Sequence, residues 1–124
     1  MKTKYQSKYT THGELVGYCG VDSGQIMLTD PCYVSDFKFE DEFSTDEKPS
    51  ARNEYNYTYN GACSATCSTK QAGQLGNGTG VVVTSGWGDG SYPVYVQYGD
   101  DGRIVSATIV FDGGDDEDPD GAEC

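Results

Sequence analysis

Three aspartates in short glycine- or proline-containing segments are the residues whose chemistry is easiest to recognise. Asp22 lies in GVDSG, Asp30 in TDPCY and Asp89 in WGDGS. If the turns brought them together, their carboxylates could hold a hard cation such as calcium or magnesium, which prefers oxygen ligands. A conformational explanation competes, because aspartate beside glycine or before proline also favours turns by bonding its own backbone. We expect no bound cofactor, with metal binding as the alternative.

The cysteines offer a second kind of chemistry. The five are Cys19, Cys32, Cys63, Cys67 and Cys124. Cys63 and Cys67 are four residues apart and could share a helix face, with Cys19, Cys32 or His12 completing a four-ligand zinc site. The C-x3-C spacing is less diagnostic than paired C-x2-C knuckles, and buried or idle reduced thiols are the alternative. The single histidine leaves too little for a convincing nucleophile and base.

A glycine-rich loop and a row of tyrosines are candidates for binding a protein partner. Residues 86–91 (GWGDGS) contain three glycines, a tryptophan and one charge, and residues 53–59 alternate tyrosine with polar residues. The candidate binding residues are Trp87, Asp89, Tyr92, Tyr55 and Tyr57. Structural explanations compete here too, since the glycines can shape a bulged turn and the tyrosines can line the inner face of a sheet.

The charge distribution excludes several classes of function. The net charge is −12, and seven of the twenty acidic residues follow Phe111. An acidic surface repels nucleic acids and anionic membranes, so we expect neither as a direct partner. The first residues show no apolar signal-peptide core, and no apolar run is long enough to span a bilayer, so a cytoplasmic location is expected. We predict a polar N-terminal arm (1–13), one β domain (14–112) and a disordered acidic tail (113–124).

Hydrophobic alternation and turn residues predict the strands that must position these groups. Residues 14–19 and 25–29 are expected to form a hairpin, and residues 53–59 a strand with its tyrosines on one face. Residues 61–67 are expected to turn a corner, and residues 70–80 to form a flexible connector. The last third predicts a three-stranded antiparallel meander over residues 81–83, 92–98 and 103–111, while residues 35–52 remain undecided between helix and edge strand. The predicted class is mainly β, a small single-domain antiparallel sheet (meander, sandwich or partial barrel) with at most two short helices.

Two stretches resemble a known family. Residues 21–33 (VDSGQIMLTDPCY) and 86–111 (GWGDGSYPVYVQYGDDGRIVSATIVF) are similar to small bacterial and phage proteins that are known only as a domain of unknown function. The shared features are an SG-strand-DP segment and a GxGDGxYPVY hairpin. The resemblance implies a compact β domain of phage or prophage origin in a bacterial host, and it supplies no catalytic residue.

Three functional hypotheses follow from the sequence. The first is a non-enzymatic protein-binding or accessory protein that presents tyrosines and loop residues. The second is a metal-binding domain or small metal-dependent hydrolase that uses Asp22, Asp30 and Asp89. The third is an acidic mimic of nucleic acid that inhibits a host defence protein. The sequence leaves the oligomeric state open.

Overall fold

The computed structural model describes residues 9–39, 48–52 and 54–111. The predicted acidic tail (113–124) and most of the predicted N-terminal arm (1–13) lie outside the described residues. Residues 40–47 of the undecided segment also lie outside them.

The described residues form a mainly β fold with two short helices, as predicted. In chain order the elements are β1 (Tyr9–Thr10), β2 (Gly13–Val21), β3 (Gln25–Thr29), a 3-10 helix (Pro31–Asp36), β4 (Glu54–Tyr55), α1 (Tyr59–Thr66), β5 (Ala72–Leu75), β6 (Gly80–Thr84), β7 (Gly90–Tyr98) and β8 (Ile104–Ile109). They build two four-stranded sheets, with the strand orders β1-β2-β7-β8 and β3-β6-β5-β4. Neither of the described helices has the length and apolar character needed to cross a membrane.

The chain divides into two compact units, which we describe separately. The terminal unit contains the described residues up to Gly24 and from Ser85 onward, and the central unit contains those of Gln25–Thr84. Each unit holds one of the two sheets.

The sheet of the terminal unit is antiparallel and has β7 at its centre. β7 pairs with β2 on one side and with β8 on the other. The predicted hairpin between residues 92–98 and 103–111 is confirmed as β7 and β8. Its turn is closed by a hydrogen bond from the Gly99 N–H to the Arg103 carbonyl at 2.8 Å, and Gly102 takes a φ of +86° that glycine adopts readily.

Two predicted strand pairings are wrong. β2 pairs with β7 instead of forming a hairpin with β3, and β6 lies in the central unit's sheet instead of joining β7 and β8 in a meander. The predictions paired strands that follow one another in the sequence, because such strands are often neighbours in a sheet. Here the chain leaves the terminal unit after Gly24 and re-enters it at Ser85, so the pairing of β2 with β7 is non-local.

The central unit packs α1 on one face of its sheet. β6 pairs antiparallel with β3 and β5, while β4 adds a short parallel pair with β5. The core consists of Ala62, Ala65, Leu75 and Val82, with Met27, Phe37, Tyr55 and Tyr57 packed against it. Small side chains on α1 let the helix approach the sheet closely, and a Cβ added at Gly73 would lie 2.8 Å from the Ala65 Cβ.

Three local predictions in the central unit are corrected. Residues 61–66 of the predicted corner belong to α1, and Cys67 is its C-cap; Thr58 caps the other end by accepting the Gly61 N–H at 2.9 Å. The predicted connector at residues 70–80 contains β5. The predicted strand over residues 53–59 is reduced to Glu54–Tyr55, since the chain turns into α1 from Tyr59 onward.

The segment after β3 begins with a 3-10 helix. Asp30 caps that helix, because its carboxylate accepts the Cys32 N–H at 2.8 Å, and Pro31 occupies the first helical turn, where its missing N–H costs little. Lys38 then forms an isolated parallel bridge with Thr58. The undecided segment therefore starts in the last turn of this 3-10 helix, and its described part contains an isolated bridge rather than a longer strand.

Candidate functional site

The backbone between β6 and β7 takes a conformation that depends on glycine. We call residues 85–89 the tryptophan loop. The φ angles are +78° at Gly86, +90° at Gly88 and +155° at Gly90, the first residue of β7. All three lie where side chains with a Cβ are strained. The conformational explanation offered for these glycines therefore applies at each of them.

Two buried side chains hold the tryptophan loop in place. The Ser85 hydroxyl donates to the Gly88 carbonyl at 2.5 Å, and the Tyr92 hydroxyl donates to the same carbonyl at 2.8 Å. Ser85 is 0% exposed and Tyr92 is 2% exposed. The Tyr92 ring also packs edge-on against Phe111, with the ring centroids 5.3 Å apart. Tyr92, a sequence candidate for partner binding, thus anchors the loop from beneath.

Two side chains of the loop face solvent. Trp87 is 44% exposed, and Asp89 is exposed as well. The backbone N–H of Trp87 donates to the Ser85 carbonyl at 2.7 Å, so the backbone beneath the indole is fixed by a hydrogen bond of its own. The loop therefore presents one large amphipathic side chain and one carboxylate on a constrained backbone.

The turn after β2 lies beside the tryptophan loop. Val21 pairs with Gly90, and the Ser85 N–H donates to the Gly24 carbonyl at 3.0 Å. The exposed Asp22 and Asp89 consequently lie at the same end of the terminal unit's sheet. Asp30 belongs to the central unit.

The metal hypotheses receive no support from the described residues. Within residues 9–39, 48–52 and 54–111, no group of three or more histidine, cysteine, aspartate or glutamate side chains could hold a metal ion. The three-aspartate site stays a prediction. So does the zinc site, but Cys67 is disulfide-bonded in the structure, and its sulfur would bind zinc only after reduction to the thiolate.

Cys63 is a buried thiol in α1. It is 2% exposed, and its sulfur accepts a hydrogen bond from the Gln25 amide at 3.7 Å. Burial raises the pKa of the Cys63 thiol, and hydrogen bonds with Tyr59 and Gln25 oppose that rise without cancelling it. A thiol that resists ionisation is a poor nucleophile, so its position indicates packing rather than catalysis.

Tyr55 and Tyr57 are held within the central unit. Both pack against its core, and the Tyr57 ring meets Phe37 edge-on with the ring centroids 5.2 Å apart. The Tyr57 hydroxyl lies 2.9 Å from the Thr29 hydroxyl and donates to the Tyr33 carbonyl at 3.1 Å. The contacts place both side chains against the core, although only Tyr55 lies in a strand, because β4 ends there and α1 begins at Tyr59.

An open cavity beside β4 was not predicted from the sequence. It has a volume of about 390 Å³ and is lined by Ser50, Ala51, Arg52, Glu54, Tyr55, Asn56, Gly76 and Asn77. Arg52 lies 3.6 Å from the Glu54 carboxylate and also donates to the Asn77 side chain. Since the nearby carboxylate balances the guanidinium, the cavity has no strong preference for an anion. Gly76 and Asn77 come beside the other lining residues through the pairing of β4 with β5, and no spacing in the sequence signals that contact.

The chain belongs to a family described as "Protein of unknown function (DUF4241)", whose model matches residues 2–109. The resemblance to a family of unknown function is thereby confirmed at that level. No curated protein and no solved structure matches the chain.

Proposed function

We propose that the protein is a non-enzymatic binding protein that engages a protein partner through the tryptophan loop. The observation that carries the proposal is the exposure of Trp87, at 44%, on a backbone held by two buried hydroxyl groups. Tryptophan is among the residues that most often dominate binding energy at protein interfaces, because it buries a large area and keeps a polar N–H.

The rigidity of the loop supports this proposal. A surface that is already ordered loses little conformational entropy when it binds, so more of the contact energy remains as affinity. Ser85 and Tyr92 provide that order by sharing one carbonyl, that of Gly88. The neighbouring Asp22 and Asp89 add negative charge to the same end of the unit.

The charge of the chain indicates the chemistry of the partner. With a net charge of −12, the protein attracts positively charged surfaces over a distance set by ionic strength. The partner we propose has a basic rim around an apolar recess that accepts the indole of Trp87. The resemblance of residues 21–33 and 86–111 to bacterial and phage proteins further supports an accessory protein of phage or prophage origin, acting in the bacterial cytoplasm.

A comparative capture experiment tests the proposal. Wild-type protein and the variants Trp87→Ala, Asp89→Asn and Tyr98→Ala are immobilised and exposed to a bacterial lysate, and the bound proteins are quantified by mass spectrometry. Tyr98 is 51% exposed at the opposite end of β7 and is the matched aromatic control. We expect at least one basic protein to be retained by wild type and Tyr98→Ala, lost with Trp87→Ala and reduced with Asp89→Asn.

Two outcomes would contradict the proposal. If the proteins retained by Trp87→Ala and by wild type are the same, the loop is not the binding surface. If basic proteins bind regardless of Trp87 but are released by salt, the general acidity of the chain is responsible. That second result would instead favour the nucleic-acid-mimic hypothesis.

A further inference from the structure

Among the described residues, β8 is an edge strand without the usual protection against pairing. It is the last strand in the order β1-β2-β7-β8 of the described residues. Ile104 is 57% exposed and Val105 is 65% exposed, and no residue from 104 to 111 carries a charge. Natural edge strands are commonly blocked by lysine, proline or inward-pointing charges, because a free edge can pair with another strand.

The alternation of the β7–β8 ladder shows which backbone groups of β8 point away from β7. The Val110 N–H donates to the Pro93 carbonyl at 3.2 Å. In an antiparallel pair, alternate residues direct both backbone groups to the same neighbour, so Thr108 bonds towards β7 as Val110 does. Ala107 and Ile109 therefore direct their N–H and carbonyl groups away from β7, along the outer edge of the sheet.

We propose that this edge joins two copies of the chain in an antiparallel, two-fold symmetric dimer. The register of β7 with β8 shifts between Gln97 and Tyr98, so the regular part of the edge begins at Ser106. A two-fold axis through Thr108 pairs Ala107 with Ile109 of the second copy, and the reverse. Each of these two pairs exchanges two backbone hydrogen bonds, giving about four across the interface.

The side chains suit this register. On the axis, Thr108 faces Thr108 of the second copy, a cross-strand pairing that is favourable in sheets. Ala107 is small and lies opposite the larger Ile109, so neither pair is crowded. An isologous contact of this kind closes on itself and leaves no further edge of β8 to propagate a fibre.

Charge also favours a second copy as the occupant of the edge. The chain has a net charge of −12, yet the paired segment is neutral, so two copies meet there without placing like charges in contact. Repulsion between the remaining charges is long-range and is screened by salt. Dimer formation should therefore strengthen as ionic strength rises, whereas the binding of a basic partner at the tryptophan loop should weaken.

Sedimentation equilibrium of the full chain over a range of concentrations tests the dimer. We expect a species of twice the chain mass at high concentration, and more of it at high salt. Ala107→Pro removes an N–H that the ladder with β7 does not use, and proline is tolerated at such edge positions. Because two of the four intermolecular hydrogen bonds are lost, we expect the dissociation constant to rise about tenfold or more. Ala107→Ser keeps both the N–H and the small size of the side chain and is the matched control, which should dimerise like wild type.

Several results would overturn the proposal. They are a monomer at all concentrations and salt levels, or a dimer that Ala107→Pro leaves unchanged. If that variant fails to fold, amide hydrogen exchange of the wild-type protein decides. Protection of the Ala107 and Ile109 amides should increase with concentration while that of Thr108 stays constant, and a lack of increase would refute the interface. Trp87→Ala is expected to leave the dimer intact, so each proposal can fail without the other.

Discussion

The shared carbonyl of Gly88 makes a quantitative prediction about the tryptophan loop. Tyr92→Phe removes one hydroxyl, which donates to that carbonyl at 2.8 Å, and leaves the ring on Phe111. The carbonyl keeps the Ser85 hydroxyl at 2.5 Å, so it is not left unpaired. A lost hydrogen bond of this kind costs about 1 kcal/mol of the free energy of unfolding. Ser85→Ala should cost about the same for the same reason.

The double variant should lose more than the two single variants together. With both hydroxyls absent, the buried Gly88 carbonyl has lost both donors, and an unsatisfied buried group costs about 1–3 kcal/mol. We therefore expect about 3 kcal/mol for the pair, which leaves a coupling energy of about 1 kcal/mol.

Urea denaturation with a fixed slope is the assay for this cycle. Tyr98→Phe is the control, because Tyr98 is 51% exposed on the same strand and should change stability by less than about 0.5 kcal/mol. If Tyr92→Phe loses no more stability than Tyr98→Phe, the Tyr92 hydroxyl does not stabilise the loop. If the two single losses add without coupling, the Gly88 carbonyl does not depend on these two donors together.

Three further predictions test the core, a close approach and the buried thiol. Val82→Ala should lower the free energy of unfolding by about 2 kcal/mol, since Val82 is 1% exposed. Val81 is 40% exposed on the same strand, so Val81→Ala should lower it by less than about 0.5 kcal/mol. Urea titration measures both changes. Gly13→Ala should lower the free energy of unfolding by more than about 2 kcal/mol, because Gly13 has a φ of +117° and the new Cβ would lie 2.1 Å from a backbone oxygen of β7. Gly17→Ala has open space around the new Cβ and is the control. Thermal melting should show that only Gly13→Ala is destabilised. Burial raises the pKa of the Cys63 thiol above the ordinary 9.0, so the folded protein binds the thiol proton more tightly. The contribution of this group to stability is full below pH 9.0 and is lost as the pH rises through the folded pKa. Alkylation of Cys63 at pH 8 should therefore be slower in the folded protein than in urea. Equal alkylation rates in the two states would contradict this assignment.

The strands were predictable from the sequence where local signals agree. The Asp-Asp-Gly turn at residues 100–102, between two alternating runs, predicted the β7–β8 hairpin. The strand predicted over residues 25–29 is β3 with the same bounds, and Pro31 follows it closely. In each case the turn chemistry and the side-chain pattern act within a few residues, so no distant contact is needed to specify the result.

The helix and the sheet partners were not predictable in the same way. The α1 sequence YNGACSAT has little apolar content, and its small side chains matter only because Ala62 and Ala65 meet a sheet built from distant residues. The segment 70–80, which contains β5, resembles a linker because it has four glycines, yet Gly73 is required where Ala65 and Tyr55 approach within contact. Tertiary packing here overrides weak local propensity.

In the candidate site, too, local features were predictable and tertiary contacts were not. The glycines of the tryptophan loop marked it as unusual from sequence alone, and each of them does take a positive φ. The anchoring role of Tyr92 could not be predicted, because it depends on the strand turning back so that the hydroxyl reaches a carbonyl four residues earlier. Sequence reasoning grouped Tyr92 with Trp87 as a contact residue, although one is buried and the other exposed.

That difference between Trp87 and Tyr92 separates two contributions to binding. Trp87→Ala removes contact area and leaves the hydrogen bonds to the Gly88 carbonyl in place, so any loss of affinity measures the indole itself. Tyr92→Phe leaves the exposed surface unchanged and loosens the backbone beneath it, so any loss measures the ordering of the loop. If pre-organisation matters, both variants bind less, but only Tyr92→Phe also unfolds at lower urea. A normal affinity in Tyr92→Phe would mean that the three glycines and the Ser85 hydroxyl are enough to hold the loop for its partner.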